Sequence, residues 1–286
     1  MPRLGAIAVL CAALAACGAC TAQSVAAPAS APLPNASEIL ARALANQRKL
    51  SAERERYDCR VTSRVTETDS RGNTKKDSTE VSDLFFVHGI PVERTVEKNG
   101  KALTPGETKK EDERVMKETL KYSNEANAQK QENKLDQELE DFLEAMMLAN
   151  GRRANVNGRA VLFYDIVPNP RFAARNLNQR LAQVMLGKLS IDSQTGEPID
   201  IDVKTVQDLK IGGGLLANVH KGLWVHIHNQ PQADGVWLNE LAEGSGDARA
   251  ALFLHPYFRF KETTDNCRLY TATAVEASPA QPVKRP

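Results

Sequence analysis

From about residue 57 onward the chain runs in short stretches that alternate apolar with polar residues, broken by turn dipeptides. That two-residue period constrains the fold more than any other feature. The clearest run places Ile199, Ile201, Val203 and Thr205 on one side and Asp200, Asp202 and Lys204 on the other, as a strand buried on one face requires. Cys59, Val61 and Val65 share one parity, with Arg60, Thr62, Arg64 and Thr66 on the other. Leu84-Phe85-Phe86-Val87 leads into a turn at His88-Gly89-Ile90-Pro91, and the chain returns through Val92, Arg94 and Val96 to Asn99-Gly100, a strong signal for a tight hairpin. Further strands are expected at residues 159–167, at Leu189 with Ile191, at 219–229, 236–243 and 249–260, and around 267–271. About ten strands joined by short turns predict an antiparallel meander rather than a parallel sheet.

Helical spacing appears in three places. Ser37 is the expected cap of a helix running to about residue 54, with Ile39, Leu40, Ala43, Leu44 and Leu50 as its apolar stripe. Between 104 and 150 the pattern turns helical again. The first part is crowded with Lys and Glu and reads as solvated, whereas Leu135, Leu139, Phe142, Leu143 and Met146 form a stripe that can pack. A short helix is expected after Pro170, carrying Leu177, Leu181, Val184 and Met185.

The 286 residues carry a net charge of +1 with 26% charged residues, which gives no basic field for nucleic acid. Arg3 precedes an apolar run at residues 4–16 (LGAIAVLCAALAA), too short for a spanning helix and laid out as an export signal. The run ends in Leu14-Ala15-Ala16-Cys17, which resembles the lipobox of bacterial lipoproteins. That resemblance implies lipidation of Cys17, a membrane anchor, and, with Gly18 following, an outer-membrane destination facing the periplasm. Ordinary cleavage after Ala22 is the competing reading and would release a soluble periplasmic protein. The expected organisation is a signal peptide at 1–16, a flexible tether at 17–35, a folded domain at 36–275 with a helical insertion near 104–150, and a disordered tail at 276–286. Of five cysteines, only Cys59 and Cys267 fall in the folded part. In an exported domain they either pair or remain two buried thiols.

The order of helix, strands, helical insertion and a long run of strands resembles the outer-membrane lipoprotein-sorting fold, shared by a periplasmic lipoprotein carrier and its lipid-anchored receptor. The local matches are the Phe85-Phe86-Val87 hairpin, Gly158-Arg159-Ala160-Val161 with the strand to Pro168, and Leu189-Ser190-Ile191-Asp192 with Thr195-Gly196-Glu197-Pro198. The resemblance implies an α+β fold, an antiparallel open half-barrel with helices covering its concave face, where acyl chains are held. It implies a non-catalytic role in binding lipid or lipoprotein, in lipoprotein sorting or outer-membrane maintenance, with no cofactor. Val61, Phe85, Ile201 and Leu254 are the expected lining residues. A structural or adaptor lipoprotein that binds an envelope protein is the alternative, with the charged helix as its docking surface.

Catalytic motifs are missing from the sequence: it contains no Gly-x-Ser-x-Gly elbow, phosphate-binding glycine loop or His-Glu-x-x-His helix. His220, His226 and His228 share a parity with Trp224. His226 and His228 are a weak candidate metal pair, since a third ligand and a carboxylate second shell are not evident in the sequence.

Overall fold

The computed structural model describes residues 32–269, apart from 36–37, 40, 43–44, 47–48, 50–52, 70, 212–216 and 251–256. The expected signal peptide, Cys17, most of the expected tether, Ser37, Leu254 and the expected tail at 276–286 lie outside the described residues. The fold described here belongs to the compact unit that begins at Leu33.

Strands β1 (Tyr57–Thr68), β2 (Thr74–Val87), β3 (Ile90–Lys98) and β4 (Lys101–Ala102) form a first meander, which the helices α1 (Pro105–Ser123) and α2 (Glu125–Ala145) follow. A second meander comprises β5 (Met146–Val156), β6 (Arg159–Pro168), β7 (Met185–Asp192) and β8 (Pro198–Thr205), with α3 (Leu177–Ala182) between β6 and β7. Two short strands, β9 (Leu209–Ile211) and β10 (Ala217–Val219), branch from β12 (Trp237–Ala250). With β11 (Trp224–Pro231) and β13 (Tyr257–Leu269), β12 joins the meanders: β11 pairs with β8 and β13 with β1. The main path is β4-β3-β2-β1-β13-β12-β11-β8-β7-β6-β5, every neighbour antiparallel, and the sheet does not close into a barrel. The fold is therefore α+β with an open antiparallel half-barrel of eleven strands.

Local chemistry explains the punctuation. His88-Gly89, Asn99-Gly100 and Asn157-Gly158 all have positive φ, which gives two-residue hairpins the twist their strands need. On the inner face, a Cβ on Gly187 would come within 2.2 Å of the Asp202 carbonyl, and one on Gly244 within 2.5 Å of the Trp224 carbonyl. Only glycine lets these strands approach so closely where the sheet curls.

Three expectations about elements need correction. Met146 does not continue the helix: it is the extended C-cap of α2 and opens β5, where it pairs with Pro168. Tertiary pairing overrides the helical propensity of Met-Met-Leu-Ala. The N-terminal cap is Asn35, whose Oδ1 accepts from the Glu38 N–H (2.9 Å) while Glu38 Oε2 accepts from the Asn35 N–H (3.0 Å), a reciprocal capping box. His220 is not on β11: it lies in the turn before Gly222 (φ 93°), beside Asp208 (3.5 Å).

The described residues between 38 and 54 outside the gaps are helical. Ile39 packs there against Leu162, Tyr164 and Ile191, and the Tyr164 hydroxyl donates to the Pro34 carbonyl (3.0 Å). α2 covers the other part of the inner face. α3 is tied to α2 through Gln179, which donates to Asp141 (3.0 Å).

α1 lies along β3, whose outer edge pairs with β4 only at Glu97 and Lys98. Two further edge groups are capped by side chains: Glu111 Oε1 accepts from the Thr95 N–H (2.8 Å), and Arg114 donates to the Glu93 carbonyl and to Glu111 (2.8 Å). This hides an edge that would otherwise template another chain. The hydrogen bond from Arg114 is the main reason the Glu111 carboxyl is held down to about 2 from 4.5. Because its folded value lies below its unfolded one, this stabilisation is present above pH 4.5 and lost as pH falls through about 2. Glu111→Gln should cost about 1–3 kcal/mol at neutral pH. Urea unfolding at pH 7 and near pH 2 should show the gap to the parent protein narrowing in acid.

Candidate functional site: a cavity beneath α2

Strand register decides which residues face α2. Cys59 pairs with Leu84, Val61 with Thr264 and Phe86 with Pro91, so these side chains share the inner face. α2 crosses above them and presents Leu135 and Leu139, one turn apart and 47% and 39% exposed. Between helix and sheet remains a cavity of about 500 Å³, within the range of small-ligand sites. Val61, Leu84 and Phe86 contribute its apolar floor, and Trp237 and Leu238 of β12 its far wall.

The charged groups described at the cavity are almost all carboxylates, Glu93, Glu132, Asp136, Glu197 and Glu262, beside the neutral Asn229, Asn239 and Thr264. Arg54 is the one cation among the described lining residues. Glu197 is only 2% exposed. It accepts from the Asn46 amide (2.7 Å) and lies in the field of Arg54, yet burial still pushes its carboxyl above the usual range. Arg54 also donates to the Trp237 carbonyl (3.4 Å), and its own pKa is lowered by the same burial. Burial, with the nearby Glu93 charge, raises the Glu262 carboxyl as well.

Cys59 and Cys267 are joined by a disulfide between the adjacent strands β1 and β13, and Cys59 forms part of the cavity wall. Val61 lies in the floor and is 2% exposed. Phe85 does not reach the cavity. It packs with Val92, Val115 and Tyr122 beneath α1, and Phe86, one residue along and on the opposite face, takes the lining position. Ile201 shares the inner face but sits beside Leu189 and Ile227, outside the cavity lining.

The opposite face holds the histidines. His226 Nδ1 is 2.8 Å from Asp202 Oδ1, and His228 Nδ1 is 2.7 Å from Asp200 Oδ1. Cross-strand carboxylates thus engage the Nδ1 of each ring, and Glu240 lies 3.7 Å from His228 Nε2 as well. No group of three or more His, Cys, Asp or Glu side chains among the described residues is placed to hold a metal ion. The Ser190 hydroxyl donates to Asp200 (2.9 Å), an order of serine, aspartate, histidine that leaves the hydroxyl without the imidazole base a nucleophile needs.

No helix among the described residues is long and apolar enough to cross a membrane. No protein-family model matches the chain, and no curated protein matches it. Among solved structures, one described as an outer membrane lipoprotein-sorting protein domain from Vibrio parahaemolyticus is 12% identical with a TM-score of 0.34, covering 85% of this chain and 96% of that one. A DUF1329 family protein from Desulfovibrio piger is 8% identical with a TM-score of 0.29, covering 86% and 96%. These likenesses concern the fold alone.

Proposed function

We propose that this chain is a non-catalytic protein of the bacterial envelope that holds an acyl chain, carried by a lipid or a lipoprotein, in the cavity beneath α2. The observation that supports this reading is the apolar floor of Val61, Leu84 and Phe86 facing the two exposed leucines of α2 across about 500 Å³. An acyl chain laid there removes both surfaces from water, worth ~0.8 kcal/mol per buried methylene. In this reading Cys17 carries the lipid anchor at the start of a tether at 17–35, and the domain serves lipoprotein sorting or outer-membrane maintenance. Cleavage after Ala22 would instead give a soluble periplasmic protein.

Native mass spectrometry of the mature protein, taken gently from its own membranes, tests the reading. An acyl species beyond the covalent anchor, released on denaturation, is expected; protein free of such a species under gentle conditions would overturn it. Leu139→Trp should fill the cavity from its exposed side and weaken acyl binding at least tenfold, while the urea midpoint stays within error. A second reading, an adaptor lipoprotein for an envelope protein, draws on Met116 and Leu120 of α1, 56% and 65% exposed and one turn apart.

A further inference from the structure

The cavity's charge says more about its occupant than its volume does. Strand alternation sends the cations of the surrounding strands to the far face: Lys261 approaches Glu243 (3.8 Å), Arg94 pairs with Asp112 (2.7 Å) and Arg64 with Asp77 (2.7 Å). Glu262 and Glu93 point the other way. The register neighbours of Glu262 are Ser63 and Ala242, and that of Glu93 is Leu84; none carries a charge. Arg54, the one cation among the described lining residues, is occupied by Glu197 and the Trp237 carbonyl. Among the described residues, no ion pair relieves Glu93 or Glu262. Glu262, partly buried, and Glu93, at the exposed rim, therefore border an apolar space without a counter-charge among the described residues, an arrangement that a cation lowers in energy and an anion raises.

We infer that the cavity selects amphiphiles with a cationic head group, the alkyl chain lying on Val61, Leu84 and Phe86 and the ammonium beside Glu93 and Glu262. The inference rests on the acyl-binding reading and adds the charge of the head group to it. Selection of this kind works by exclusion as much as attraction: a fatty acid or anionic lipid would bring a like charge into a half-buried site, whereas an alkylammonium supplies the missing partner.

Trp237 lies in the cavity wall, so its fluorescence can report occupancy of the intact mature protein. The probes are dodecylamine, dodecanol and dodecanoate at neutral pH, each below its aggregation threshold. Dodecylamine is expected to bind at least tenfold more tightly than dodecanoate, with dodecanol between them. The double variant Glu93→Gln, Glu262→Gln should erase that order while keeping the dodecanol affinity, which also shows that the variant is folded. Equal affinities, a preference for dodecanoate, or a dodecylamine preference that survives the double substitution would overturn the charge selection and leave the acyl cavity standing. Failure of all three probes to bind the parent protein would overturn the acyl reading itself.

Discussion

Removing the Cys59–Cys267 bridge should lower the unfolding free energy by about 5 kcal/mol, the chain-entropy value for closing so long a loop. The two cysteines are 208 residues apart, so the bridge restricts nearly the whole folded run in its unfolded state. A domain is stable by only about 5–15 kcal/mol, and the loss would consume a large part of that. The location adds to the effect. β1 opens the described sheet and β13 closes it, and their pairing is the seam through which the first meander joins the rest. Urea unfolding with and without reductant measures the loss. Reductant should shift the parent protein to the midpoint of the Cys59→Ser, Cys267→Ser variant and leave that variant unmoved. A reduced protein within about 1 kcal/mol of the oxidised one would show that loop closure contributes little here.

The strands were legible because their period is local. Ile201 and Val203 alternate against Asp200 and Asp202 as β8 requires, and Cys59 and Val61 lie on the buried parity of β1. What the sequence hid were choices that only pairing makes. Leu84, Phe85, Phe86 and Val87 are all apolar, so either parity could face the core; the register that sets Cys59 against Leu84 gives Phe86, not Phe85, to the cavity. Met146 could extend a helix or start a strand, and its pairing with Pro168 decided for the strand. The three histidines looked contiguous on one strand until Gly222 turned the chain between His220 and Trp224.

Much the same holds for the cavity. Leu135 and Leu139 were visible as a stripe, but a stripe is silent about whether its partner surface is in contact or set back. One overlooked signal was present: along β13, Phe258, Phe260, Glu262 and Thr264 share a parity, so a carboxylate occupies an inner-face position. Glu197 offered no such signal. It follows Thr195-Gly196 in an ordinary hairpin turn, and its burial depends on Asn46, 151 residues away.

That buried carboxylate leads to the second large effect. Arg54→Ala should destabilise the protein by about 3–5 kcal/mol at neutral pH, because among the described residues it leaves the buried Glu197 with the Asn46 amide alone to hold its charge. The sign of the pH dependence follows. Burial already raises the folded-state value of Glu197 above its ordinary 4.5, and removing Arg54 raises it further. A group raised in this way favours the folded state when protonated, so the defect should be largest above its folded value and shrink as pH falls toward 4.5. Adding Glu197→Gln to Arg54→Ala removes the charge while keeping an amide oxygen to accept from Asn46, and should recover more than half of the loss at neutral pH. Unfolding curves of the three variants at pH 7 and pH 5 separate the causes. A deficit independent of pH, unrelieved by Glu197→Gln, would assign the effect to the lost packing and the Trp237 hydrogen bond of Arg54 rather than to a stranded charge. A deficit that fades in acid and with the amide would make Arg54 the counter-ion that lets an acid sit in the cavity wall, a partner that Glu93 and Glu262 do not have among the described residues.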